Sequence, residues 1–253
     1  MVTIATPVLS DVAVVTTSSE TVAGPVTNLQ KIQPTDAWET VNLTSIFIEI
    51  NLNSIVTFNQ IALLFTNVTS AGTVRFRTAD TQANLTAAPT NDRSGLAPDG
   101  QHLFTHFDTD VSAKWVRIDI ADAGNPAGKI TGGRLYVAKS WKPIVPYGNI
   151  TQSIRDLSKL FITSGGQTVI NKKPIIPDVT FTALATSEAD ILDNADEINR
   201  IRGASNDVFV VVDTTVSSRR FRGMYYGLLG SGQPFIRPNL GIFQQTFVVK
   251  GIV

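Results

Sequence analysis

Three short runs in the first half of the chain alternate apolar and polar residues with a period of two. No other feature constrains the fold as tightly. In SIFIEINLN, Ile46, Ile48, Ile50 and Leu52 take one face while Phe47, Glu49 and Asn51 take the other. In TVRFRTAD, Val74 and Phe76 oppose Arg75 and Arg77, and in WVRIDIAD, Val116, Ile118 and Ile120 oppose Arg117 and Asp119. A helix would scatter these residues around its circumference, whereas a strand sorts them onto two faces. One apolar and one polar face predict antiparallel sheets with one side wet. Gly, Asn and Pro turns between the runs predict that two such sheets close into a sandwich.

The turn-rich stretch TADTQANLTAAPTNDRSGLAPDGQ, over residues 78–101, reads as one long loop. The segment KSWKPIVPYGN ends the alternating region with Pro143, Pro146 and Gly148 and reads as a linker. The predicted domains are therefore 1–140, a β-sandwich, and 141–253, an α+β domain. The second domain has strand-like runs (DLSKLFIT, PDVTFTALA, DVFVVVDTT, IFQQTFVVKGIV) and one amphipathic helix, SEADILDNADEINRIRG. Ser187 is placed to cap that helix, and Ile191, Leu192, Ala195, Ile198 and Ile201 share its core face. Gly203 is placed to end it. The fold class is mainly β: a sandwich followed by an α+β domain with a single helix.

Composition excludes several functions. The chain has no cysteine, so disulfides, thiolate zinc sites and cysteine nucleophiles are absent. Its net charge is zero, which gives no pull toward nucleic acid or an anionic membrane. The N-terminus MVTIATPVLSDVAVV lacks the basic start of a signal peptide, and no run approaches the roughly 20 apolar residues of a membrane span. A non-secreted protein that neither inserts into membranes nor binds nucleic acid is expected.

No catalytic constellation emerges. His102 and His106 are followed by Asp108 and Asp110, but there is no third histidine and no zinc-protease pattern, so they read as a surface turn leading into a strand. The glycines of GLLGSGQPF match neither a dinucleotide fingerprint nor a phosphate loop and read as a hairpin turn. No catalytic, cofactor-binding or metal residue is assigned, and no cofactor is expected. What stands out is charge. Five of the nine acidic residues after position 140 lie in the helix, and the rest of that domain carries a surplus of six basic residues. Arg219, Arg220 and Arg222, in SSRRFRGMYYG, and Glu188, Asp193, Asp196 and Glu197 on the helix read as two complementary halves of a subunit contact.

A resemblance adds to this reading. The segments NLQKIQPTDAWET, FNQIALLFTNVTSAGTVRFRTAD and KWVRIDIADAGNPAGKITGGRLYVAKSWKP resemble the β-sandwich half of minor and distal tail proteins of tailed phages. Asn28, Leu29, Trp38, Asn67, Gly133, Arg134, Leu135, Trp141 and Pro143 carry the likeness. That sandwich is similar to the discoidin or galactose-binding-like jelly roll, and the second half, with its MYYGLL segment, resembles the ring-forming belt domain of the same proteins. The resemblance implies a structural component of a long-tailed phage's tail tip. It would be an oligomeric ring of six copies, with three as the alternative, joining the tail tube protein to hub or fibre proteins in the virion. Arg134 would hold the loop before it. The alternative reading is a carbohydrate-binding adhesion module, with Trp38, Trp115 and the 78–101 loop as its glycan contacts.

Overall fold

The computed structural model describes residues 2–96, 98, 101–145, 149–185, 187–203, 205–214, 220–230, 236–239 and 242–252. The chain forms two compact units. One is Ala5–Ser140 with Thr214–Arg222; the other is Met1–Ile4, Trp141–Asp213 and Gly223–Val253. A single cut at residue 140 thus misses two crossings. Strand β1 (Thr3–Ala5) lies at the edge of the second unit's sheet, where the Ile4 and Trp141 backbones exchange hydrogen bonds of 3.0 and 2.9 Å.

The first unit is an antiparallel β-sandwich. Its strands are β2 (Val14–Thr17), β3 (Trp38–Glu39), β4 (Ile46–Leu64), β5 (Thr73–Ala79), β6 (Asn91–Leu96), β7 (His102–Ala121), β8 (Thr131–Gly132) and β9 (Arg134–Ala138). The main sheet runs β2-β4-β7-β5-β6, with β9 also paired to β4. β4 and β7 pair twice, Ile46–Asn51 with Trp115–Ile120 and Val56–Leu64 with His102–Ala113. Between these stretches the register breaks, and Asn53 takes a φ of +68°, which asparagine tolerates better than most residues. A second break, between Phe58 and Gln60, moves the inward positions from even to odd numbers: Ile46, Ile48, Ile50 and Phe58 face the core, and so do Ile61 and Leu63. The inner faces of both halves meet in this one core.

The polar face is drier than alternation predicts. Glu49 and Arg77 are buried, because the 78–101 stretch is no plain loop. It forms a short helix α2 (Asn84–Ala87) and strand β6, and Leu85 is fully buried.

The second unit holds β10 (Ile150–Asp156), β11 (Lys159–Ile162), β12 (Thr168–Asn171), β13 (Ile175–Ala185), β14 (Asp207–Val211), β15 (Met224–Leu229), β16 (Ile236–Asn239) and β17 (Ile242–Gly251). The sheet order is β1-β14-β15-β17-β13-β10, with β16 beside β17 and β11 paired with β12. Phe181 and Phe247, opposite each other on β13 and β17, stack at 5.3 Å. Trp141, read as linker, is a core residue here: its ring meets Phe247 edge-on at 5.9 Å and its Nε1 donates to Asp190 at 3.1 Å.

The helix forms where expected, but it is not uniform. Glu188–Asp190 and Glu197–Arg202 are α-helical, and Ile191–Asp196 between them is a π-helical turn. Ser187 Oγ accepts the Asp190 N–H at 3.1 Å, and Gly203 ends the helix at φ +51°. Asn194 Nδ2 donates to the Asp190 carbonyl, a side-chain competitor to the regular ladder, and to the carboxylate that Trp141 also contacts. The wider turn changes the helical phase. Ala195 and Ile198 are buried, but Leu192, assigned by spacing to the core face, points outward and is 48% exposed.

Candidate functional site

On the sandwich, the chemistry gathers on the outer face of β4, β7 and β5. Arg117 stacks over Phe47 at 3.8 Å, donates to Glu49 at 2.8 Å and to Asp119 at 2.8 Å. Arg77 forms a bidentate pair with the same Asp119, and its Nη1 donates to the Leu85 carbonyl at 2.7 Å. Gln82 donates to Glu49 at 2.8 Å, and Arg75 pairs with Asp92 on β6. The Asp92 contact lowers that carboxyl's pKa. An open depression of about 450 Å³ beside this ladder is lined by Ser45, Thr73, Arg75, Ser94, Arg117 and Asp119.

The two tryptophans assigned to glycan contact separate. Trp38 is fully buried, with Nε1 donating to the Ser19 carbonyl at 3.2 Å and its backbone paired to Gly132, so it offers no face to a sugar. Trp115 is half-buried and by alternation shares the outer face with Arg117 and Asp119, outside the lining of the depression.

Arg134 ties distant segments of the sandwich together. Fully buried, it pairs with Asp11 at 2.8 Å at the end of helix α1 (Val8–Asp11) and reaches the Leu29 carbonyl at 3.4 Å. Asn67, one of the residues that carry the resemblance, accepts the Thr131 N–H and donates to the Lys129 carbonyl, pinning its segment to residues 129–131. His102 and His106 lie within β7, not in a turn. His102 Nδ1 accepts the Phe65 N–H at 3.3 Å, and burial pushes its imidazole down to about 4. Among the described residues no three His, Asp or Glu side chains gather as a metal site.

Of the proposed subunit contact, Arg219 lies outside the described residues, as does the side chain of Arg220. Arg222 is exposed and belongs with the sandwich unit, not with the sheet that carries the helix. On the helix, Glu188, Asp193 and Glu197 are exposed, while Asp196 is half-buried and pairs with Arg200 at 2.7 Å.

The largest surface anomaly is elsewhere. β10 and β13 pair from Ile150–Phe181 to Asp156–Ile175, and β11 and β12 extend the same hairpin to a turn at Gly166, φ +75°. β13 pairs with β17 only from Val179 onward, so the hairpin beyond it projects alone. Every residue of β11 and β12 is exposed, with Leu160 at 71% and Ile162 at 77%. Eight of the sixteen exposed large apolar side chains among the described residues fall between Ile154 and Ile175. By sequence DLSKLFIT reads as a strand-like run, and an apolar run of this kind does not show whether anything covers it. The available signal was two such runs flanking SGGQ, with Lys159, Lys172 and Lys173 and no acid from 157 to 174.

No protein-family model matches the chain, and no curated protein matches it. Among solved structures, the family 32 carbohydrate-binding module of NanJ from C. perfringens, in complex with galactose, is 15% identical with a TM-score of 0.41. The alignment covers 54% of this chain and 98% of that one. A Streptococcus pneumoniae fucose binding module is 12% identical (TM-score 0.41, 51% and 92% covered). The lectin domain of lectinolysin, complexed with Lewis B antigen, is likewise 12% identical (TM-score 0.41, 51% and 94%).

Proposed function

We propose that the protein is a non-catalytic assembly component whose second unit closes copies of the chain into a ring through the projecting hairpin. The setting is the one its sequence resemblance implies, a phage tail tip between tube and hub or fibre proteins. The observation that carries this reading is the arm's unburied apolar surface. An isolated two-stranded hairpin is marginal in water, and an exposed apolar strand pair invites association. Each large side chain is worth about 1.5–3 kcal/mol when buried, so a protein that keeps Leu160, Phe161, Ile162, Val169 and Ile170 exposed has a use for them in contact. Light scattering on the full chain tests this. The wild type is expected to exceed monomer mass, and Leu160→Thr with Ile162→Thr to shift it toward monomer with the circular dichroism unchanged. A wild-type monomer at every concentration overturns the reading.

A second reading gives the sandwich a sugar-binding role, as in the modules named above. The open depression at Arg75, Arg117 and Asp119 favours it, since paired guanidinium and carboxylate edges can both hydrogen-bond vicinal hydroxyls. A galactose- and fucose-bearing glycan array would show retention that Arg75→Ala abolishes; no retention by the wild type rules it out.

A further inference from the structure

We infer that the arm of one copy docks on the outer face of the π-containing helix of the next copy, a contact that rests on the self-assembly reading above. Both surfaces have unmet needs of opposite kind. The arm is apolar and basic: among the described residues Lys159, Lys172 and Lys173 have no ion-pair partner, and no acid interrupts residues 157–174. The helix face is acidic around one apolar residue. Asp190 is occupied by Trp141 and Asn194, and Asp196 by Arg200. Asp193 and Glu197, one turn apart, have no ion-pair partner among the described residues, and both are exposed beside Leu192.

The orientation of the two surfaces assigns them to different copies. The arm leaves its start at Ile175, and the helix follows its end at Ala185. The helix then runs back over the sheet, since Asp207 after it pairs with Leu228 and so lies level with the first residues of β13, and Ala195 and Ile198 seat it on the sheet's core. Its exposed acidic face is therefore turned away from the sheet that its own arm prolongs. Two different surfaces that complement each other, one prolonging the sheet and one on the helix that covers it, make a heterologous contact, which propagates head to tail and closes into a ring when the rotation allows. Charge selects the register, and Leu192 seats against the arm's apolar residues.

The test uses two charge-reversed full-length variants, Lys172→Glu with Lys173→Glu on the arm and Asp193→Lys with Glu197→Lys on the helix. All four positions are exposed, so both variants are expected to keep the wild-type circular dichroism. Each alone sets like charge against like charge between copies, and its dissociation constant should rise at least tenfold by light scattering. Mixed one to one, the two variants present opposite charges wherever they alternate and should assemble well above the mass that either reaches alone. If the helix variant assembles like the wild type, or the mixture stays dissociated, the docking site is wrong. The self-assembly reading then survives only if replacing residues 157–174 by a short turn still disperses the protein. A wild-type monomer overturns both.

Discussion

Arg77 on β5 and Arg117 on β7 stand directly opposite each other in the antiparallel register, two like charges where a sheet ordinarily avoids them. Asp119, two residues along from Arg117, binds both guanidinium groups and makes the pairing tolerable. Because Arg77 is buried under the α2 segment, its charge has no route to water if that carboxylate is lost.

Asp119→Asn is therefore expected to destabilise the sandwich by about 2 kcal/mol, less than for a fully buried pair because 24% of the Asp119 side chain is exposed. Thermal melting by circular dichroism would show a fall of several degrees. Asp119→Asn with Arg77→Met, which removes the buried charge along with its partner, should recover part of the loss. A single variant that melts with the wild type would mean that water reaches Arg77.

His102 gives the sandwich an acid sensitivity. Its imidazole, normally near 6.5, is held at about 4 by burial, so the folded state keeps it neutral where the unfolded chain would protonate it. The contribution is fully present above pH 6.5 and is lost as pH falls toward 4, with a slope of at most about 1.4 kcal/mol per pH unit. His102→Gln keeps an acceptor for the Phe65 N–H and removes the titration. Urea midpoints measured from pH 7 to pH 4 should fall more steeply for the wild type than for this variant, and parallel curves would refute the assignment.

Trp38 and Trp115 looked alike in sequence and are not. Trp38 is an anchor of the core, so Trp38→Ala is expected to cost about 3–5 kcal/mol. Trp38→Phe, which gives up the bond to Ser19, should cost less and leave any glycan retention intact. Loss of glycan binding in a Trp38→Phe protein with a near-native melting temperature would restore the tryptophan to a binding role.

What the chain revealed in advance follows from how local each cause is. The alternation of Ile46–Ile50 and Val116–Ile120 comes from backbone geometry alone, and those residues sit on the inner face. Ser187 and Gly203 bound the helix because capping needs only neighbours. Burial of the polar face at Glu49 and Arg77 was not legible, since it depends on a segment folding back over it. Nor was the outward turn of Leu192, which one side-chain bond from Asn194 helps to decide. The arm was hidden for a different reason: period and composition say that a strand is apolar, not whether anything covers it.

Gly227 shows the same limit and gives a sharp test. In sequence it belongs with Gly230 and Gly232 in what looks like a turn, but in the structure it lies inside β15, opposite Gly251 of β17 and Val208 of β14. A Cβ added there would fall 2.1 Å from the Lys250 carbonyl oxygen and 2.9 Å from the Gly251 Cα. These are backbone atoms of a paired strand, so no side chain can swing aside. Gly227→Ala must push β15 and β17 apart where the sheet is continuous on both sides, and it is expected to destabilise the second unit by about 2–3 kcal/mol. Gly124, whose added Cβ meets nothing within 4 Å, is the control, and Gly124→Ala should change stability by less than about 0.5 kcal/mol. Hydrogen exchange would localise the effect, with faster exchange at amides of β15 and β17 and none in β4 or β7. Equal stability of the two variants would mean that β15 and β17 do not approach as closely as their glycines permit.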